Sequence, residues 1–191
     1  LHRLSFLIFN QPESFRPKRC LVVMFNKSLR NYVKKTSVDL LTNQLPVETF
    51  HSWAVKAMRS LGITVTFSAQ GGGLTVLKKS SVIYAALLEY VATEGQGWLL
   101  ADLGAFYADS ALWRRHLGNS PQIDKLLRQG QRLLSGEINE IAFDDAGVLI
   151  HLAQLRKPEQ EIAAALGWYE HVLVDEAQDL SLVELKALMF A

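Results

Sequence analysis

His171-Val172-Leu173-Val174-Asp175-Glu176-Ala177-Gln178-Asp179 is the stretch that decides the fold. Val172 to Val174 is a short apolar run of β-branched and aliphatic residues, which predicts a buried parallel strand. Two adjacent carboxylates follow it. In open α/β sheets, ligands bind at the carboxyl ends of the strands, so the spacing puts Asp175 and Glu176 at such an end. Leu182, Leu185, Leu188 and Met189 then predict a helix. Strand, acidic pair, helix suits a Mg²⁺ site in which one carboxylate holds the metal and its neighbour activates a water. The alternative is two solvated acids at a strand end.

Working outward, two more junctions of this kind precede it. Arg19 to Phe25 is a second apolar strand, and Asn26-Lys27-Ser28 opens a helix that carries Leu29, Tyr32 and Val33 on one face. Asn26 can cap it, and Asn26, Lys27, Arg30 and Asn31 offer donors to an anion near its start. Leu45 to Phe50 predicts a short strand. His51-Ser52-Trp53 starts a helix that Gly62 ends. Aromatic rings, small hydroxyls and basic groups at such junctions suit a single strand of nucleic acid, whose bases stack while its phosphates accept hydrogen bonds. Phe25, Phe50 and Trp53 suit a hydrophobic core equally well, and His51 can be a structural hydrogen-bonding residue.

Between and around these junctions the pattern is coarser. Leu1, Leu4, Leu7 and Ile8 share one face of a helix that begins without a capping residue. Ile63–Phe67 and Leu74–Leu77 alternate on either side of Ser-Ala-Gln-Gly-Gly-Gly and predict a hairpin. Ser80 to about Gly136 is helical in period, with turns at Gly95-Gln96-Gly97 and Gly118-Asn119-Ser120-Pro121. Phe143-Asp144-Asp145 opens a helix with the stripe Val148, Leu149, Leu152 and Leu155, and either acid suits its N-cap. Glu159 to Trp168 is one more amphipathic helix. The expected class is α/β: residues 1–61 and 142–191 form a partial parallel sheet with flanking helices, interrupted by a mainly helical insertion over 62–141.

The chain has 191 residues, of which 49% are hydrophobic and 20% charged, a globular composition. One cysteine, Cys20, excludes an internal disulfide framework and any Cys-based zinc site, and it reads as a small core residue. No run reaches membrane-spanning length and the first residues do not form a signal peptide, so a cytoplasmic protein without a membrane partner is expected. The first residue is leucine, and the chain reads as a piece of something longer. Residues 1–60 carry ten Lys and Arg against three Asp and Glu, whereas the remainder carries ten against sixteen. A polyanion is therefore expected to touch the first part.

Taken together, the three junctions resemble those of the UvrD/Rep-like superfamily 1 helicases. Phe25-Asn26-Lys27 resembles their motif Ia, Thr49-Phe50-His51-Ser52 their motif Ib, and Asp175 to Asp179 their motif II, Asp-Glu-x-Gln-Asp. Ala142-Phe143-Asp144-Asp145 resembles the acidic-aromatic segment before motif II. The resemblance implies a RecA-like core whose cofactors are ATP and Mg²⁺. Asp175 would hold the metal, Glu176 would activate the attacking water, and Gln178 would contact the nucleotide and, with Asp179, couple its state to the DNA track. Phe25, Asn26, Lys27, Thr49, Phe50, His51 and Ser52 would lie along single-stranded or partly duplex DNA. The partners implied are that DNA and the remaining helicase domains, and exposed sheet edges make self-association a further expectation.

The chain departs from this pattern in two respects. It contains no phosphate loop, G-x-x-x-x-G-K-[ST], and Gly71-Gly72-Gly73 has no following Gly-Lys-Ser/Thr. The family's later arginine-bearing motifs are also missing from the chain. The resemblance therefore implies the middle of a motor domain that hydrolyses ATP poorly or not at all by itself. The other readings are a non-catalytic protein that binds nucleic acid or a partner, and a metal-dependent nuclease that adds Asp144 and Asp145 to the acidic pair.

Overall fold

The computed structural model describes residues 6–7, 9–11, 13–24, 28, 30–31, 45–68, 73–93, 95, 97–167 and 169–189. Its elements in chain order are β1 (Cys20–Met24), β2 (Val47–Thr49), α1 (Phe50–Ser60), β3 (Thr66–Ser68), α2 (Thr75–Lys78), α3 (Ser81–Val91), α4 (Leu99–Ala108), α5 (Ser110–Leu117), α6 (Gln122–Leu134), β4 (Glu140–Ala142), α7 (Asp145–Arg156), α8 (Glu159–Leu166), β5 (His171–Val174) and α9 (Leu182–Leu188). Phe6, Leu7, Phe9 and Asn10 are helical, as are Ser28, Arg30 and Asn31. The expected start of the first helix at Leu1, the cap at Asn26 and the residues Phe25, Asn26 and Lys27 lie outside the described residues.

Two parallel sheets form. In the first, β1 lies between β2 and β5. Every residue of β1 is buried because strands flank both its edges and hydrophobic clusters cover both its faces. Leu21 and Val23 point into the main core, while Cys20, Val22 and Met24 join a smaller cluster with Leu45 and Val47. This is the two-residue alternation of a pleated strand, and it bears out the expected core place of Cys20. Burial, and secondarily the charge of Glu170, push the Cys20 thiol's pKa up.

β5 departs from the expected buried strand: all four of its residues are only half-buried. It stands at the end of the sheet, and among the described residues no strand pairs with its outer edge. At its start the ring of His171 stacks on Phe15 with 4.1 Å between centroids. His171 Nε2 also donates to the Ser14 carbonyl at 2.9 Å.

The second sheet replaces the expected hairpin. Thr66 to Ser68 pair in parallel with Glu140 to Ala142, a strand the period did not suggest. Leu74 to Leu77 are helical instead. Leu74 and Leu77 are buried while Val76 is 83% exposed, a three-residue spacing that fits a helical turn and not a strand.

α7 organises the core. Asp145 through Ala153 are all buried, so the helix is enclosed on every side and not along the single stripe expected. It packs against α1, α3, α4, α8 and α9, which ties the insertion and the α/β part into one continuous hydrophobic core. Gly147 permits one of these approaches, because a Cβ there would stand 2.8 Å from Cγ of Glu184 on α9. Gly130 permits the crossing of α4 and α6, since its Cβ would lie 2.5 Å from the Gly104 carbonyl oxygen. The expected helices of the insertion are present, with one break the period did not mark. Asp109 ends α4 and caps α5, accepting the Leu112 amide at 2.9 Å.

Candidate functional site

The strand registers decide where the polar junctions stand. Met24 pairs with Thr49, and Val23 pairs with Val174. β1 and β2 therefore end level and β5 one residue short of them, so the start of α1 and the acidic pair emerge on one edge. Adjacent strands lie about 4.8 Å apart, so the start of α1 and the acidic pair flank the end of β1 within roughly 10 Å. Phe25, Asn26 and Lys27 follow Met24 directly in sequence but lie outside the described residues.

At the acidic junction the Asp175 amide donates to the Val23 carbonyl at 2.9 Å and extends the ladder by one bond. The side chains from Asp175 to Asp179 are exposed. Glu176 has φ 56° and ψ 48°, and among the described residues it alone is a non-glycine with positive φ. A left-handed conformation costs such a residue roughly 1–2 kcal/mol, and strain of this kind clusters at functional sites. The turn that follows, Ala177–Asp179, is short and 3-10 in type. Gln178 Nε2 donates to Glu176 Oε2, so the two side chains are held together. α9 is anchored by a reciprocal cap: Glu184 Oε2 accepts the Ser181 amide at 2.7 Å, and Ser181 Oγ accepts the Glu184 amide at 3.2 Å.

The donor set at this junction fits Mg²⁺, which takes one or two carboxylates together with phosphate and water. Among the described residues no group of three or more His, Cys, Asp or Glu converges on a metal position. ATP fits less well, because the chain has no phosphate loop to cradle it.

At the α1 junction the sequence-predicted residues divide. Thr49 is buried, and its Oγ1 accepts the Ser52 amide at 3.2 Å as the helix cap. Ser52 Oγ donates to Glu48 Oε2 at 2.7 Å, and Lys56 pairs with Glu48. Phe50 is 2% exposed and packs on Trp53 with 5.7 Å between centroids. A ring so enclosed cannot stack on a base without opening the helix. These three residues position the junction, and His51 presents its outward face. One residue is a rotation of about 100° along a helix, which takes Phe50 into the core and His51 to the surface.

His51 does not stand alone. Its ring meets Phe143 edge-on at 5.0 Å, and Phe143 lies flat on Phe67 at 4.5 Å. Phe143 is 42% exposed. It follows β4 as His51 follows β2, so the second sheet brings its own strand end to the same surface. Phe67 and Phe143 are functional candidates that motif reading left unassigned. An aromatic followed directly by two acids, Phe143-Asp144-Asp145, was the available signal.

Asp144 and Asp145 behave unlike the caps expected of them. Asp144 makes no side-chain capping bond. Asp145 is wholly buried: it accepts Tyr107 Oη at 2.6 Å, Gln129 Nε2 at 2.9 Å and the Ala142 amide at 2.9 Å, and it pairs with Lys78 Nζ at 2.6 Å. Lys78, itself 2% exposed, also donates to Gln129 Oε1 at 3.0 Å. Burial first, and the Asp145 charge second, push the Tyr107 phenol well above its ordinary range, so it stays a donor. A carboxylate offers about four acceptor positions, and four donors meet Asp145. It is committed to structure, which leaves it no place in a nuclease metal site. Among the described residues no helix is long and apolar enough to cross a membrane.

No protein-family model matches the chain, and a search of curated proteins finds no relative.

Proposed function

We propose that the chain is part of an ATP-dependent motor of the UvrD/Rep-like kind, contributing the acidic half of an ATPase site and the edge along which single-stranded DNA runs. One observation carries this reading. Polar strand-to-helix junctions separated by more than a hundred residues end within one residue of each other on one sheet edge, acidic at β5 and aromatic at β2. Asp175 is the metal ligand, Glu176 the base that activates water, and Gln178 the residue that orients Glu176. His51 and Phe143 are the base-stacking groups, and the resemblance adds Phe25, Asn26 and Lys27, which lie outside the described residues, to the strand's contacts. Bound Mg²⁺ and ATP supply a polarised γ-phosphate. The phosphate cradle is a further element that this chain does not encode. A cytoplasmic location and association with the remaining motor domains go with this reading.

The second reading, a non-catalytic nucleic-acid-binding protein, is favoured by that missing cradle. Both are tested on the 191-residue chain with labelled oligo-dT and an ATP-turnover assay. Strand binding weakened by His51→Ala, with turnover at background, is expected. Absence of binding sinks both readings. Turnover that disappears in Glu176→Gln shows that the missing loop is dispensable and overturns the claim of a half site.

A further inference from the structure

Between α6 and the second sheet lies a cavity of about 400 Å³ that the junctions do not include. Lys125, Arg128 and Arg132 line it from α6, with Lys78 at its base and Ser68 and Glu140 from the second sheet. The three α6 cations recur at intervals of three and four residues, which puts them on one helical face. Among the described residues none of the three is in an ion pair. Lys78 is already neutralised by Asp145 at 2.6 Å. Three cations against the single carboxylate of Glu140 leave the cavity positive.

Its position is as telling as its charge. Ser68 follows Phe67, and Ala142, also in the lining, precedes Phe143. The cavity is therefore lined by the sequence neighbours of the stacked pair, which the pleat turns to the other face of the second sheet, so a strand that reaches both passes round the ends of β3 and β4. Gly73 clears one side: a Cβ there would stand 2.9 Å from Lys125 Nζ, so bare backbone lets that side chain lie across it. From Lys125 to Arg132 the helix advances about 10 Å. Phosphates recur about every 3.4 Å along one strand of B-form DNA, so this span faces several of them in a stacked strand.

We infer that this cavity is a second nucleic-acid subsite, in which Lys125, Arg128 and Arg132 hold the phosphate backbone of the strand whose bases stack on His51 and Phe143. The inference rests on the proposed strand binding and extends it into the insertion. The division of labour is chemical: rings read the π-face of a base, and mobile cations neutralise successive phosphates.

The test uses the whole chain with labelled dT4 and dT12, over a salt series, and a variant carrying Lys125→Gln, Arg128→Gln and Arg132→Gln. All three side chains are exposed, and thermal melting by circular dichroism checks that the variant is folded. The variant is expected to hold dT4 within about twofold and to lose the tighter binding of dT12. The slope of log affinity against log salt should flatten by about 2, as loss of three single-strand phosphate contacts requires. A folded variant that keeps both the length advantage and the slope overturns the subsite and leaves the stacking platform intact. Loss of dT4 binding as well overturns the division between platform and track. Wild-type protein that binds neither oligonucleotide defeats the proposed function and this inference together. Sodium tripolyphosphate that displaces dT12 as effectively as unlabelled dT12 identifies a small-polyanion site and overturns the strand assignment.

Discussion

The molecule has two pairs of adjacent acids after parallel strands, and it treats them in opposite ways. Asp144-Asp145 follows β4, and Asp175-Glu176 follows β5. Asp145 is buried, and its carboxylate is met by a lysine, a tyrosine, a glutamine and a backbone amide. Asp175 and Glu176 are exposed, and Glu176 is held in a left-handed turn. Adjacent carboxylates at a strand end thus do two kinds of work. One fastens the insertion to the central helix, because Asp145 begins α7 while Lys78, Tyr107 and Gln129 come from α2, α4 and α6. The other is left open to solvent, where a metal and a water can reach it.

The sharpest way to break this comparison is to remove the buried acid. Asp145→Ala strands Lys78 as an uncompensated buried cation and should cost about 3–5 kcal/mol of stability, read from urea unfolding. Adding Lys78→Met to that variant should recover part of the loss, because the orphaned charge is gone. A further loss instead would mean that Lys78 stabilises the fold independently of Asp145.

A pH series probes the same helix. His151 on α7 is buried, which pushes its pKa below the ordinary imidazole range; the nearby Lys186 charge lowers it further, against a hydrogen bond with Gln154 that raises it. The unfolded chain therefore takes up the proton more readily than the folded one. Stability contributed by neutral His151 is complete above the unfolded pKa, about 6.5. It is lost as pH falls from there through the lower folded value. Urea midpoints at pH 7.5 and 5.5 should show this fall, and His151→Gln should shrink it. An unchanged fall in that variant would assign the effect to other groups.

The exposed pair should respond least. Glu176→Gly relieves the left-handed strain and should stabilise by about 1 kcal/mol, while Asp175→Asn should stay within about 0.5 kcal/mol of wild type. Destabilisation beyond about 1 kcal/mol by Asp175→Asn would show that the open pair is structural after all.

How much of this could be read in the chain follows from where each feature is written. β1, α1 and the strand-to-helix junctions come from contiguous runs, such as Cys20 to Met24 and Thr49 to Ser52, whose period and caps are local, whereas the register that aligns them is tertiary. The β3–β4 pairing could not be read this way. Thr66–Ser68 and Glu140–Ala142 are each too short to declare a strand without the other. Lys78 illustrates the same limit. In sequence it is one of two lysines after an apolar run, and only the fold sets it 2.6 Å from Asp145. Phe50 and His51 looked like equals within one motif, and helical rotation separated them. The enclosure of α7 was hidden because two polar residues, Asp145 at its start and His151 at its middle, interrupt its buried apolar run.

The outer edge of β5 has a consequence for how firmly the acids are aimed. Among the described residues β1 is tied into hydrogen-bond ladders on both sides, whereas β5 is tied on one. In amide hydrogen exchange the Val22 and Val23 amides should be protected by the full cooperative opening of the sheet. The Asp175 amide, which donates to the Val23 carbonyl, should exchange through smaller openings. The carboxylates thus hang from an edge strand of the three-stranded sheet, and any chain that docks along that edge would stiffen them.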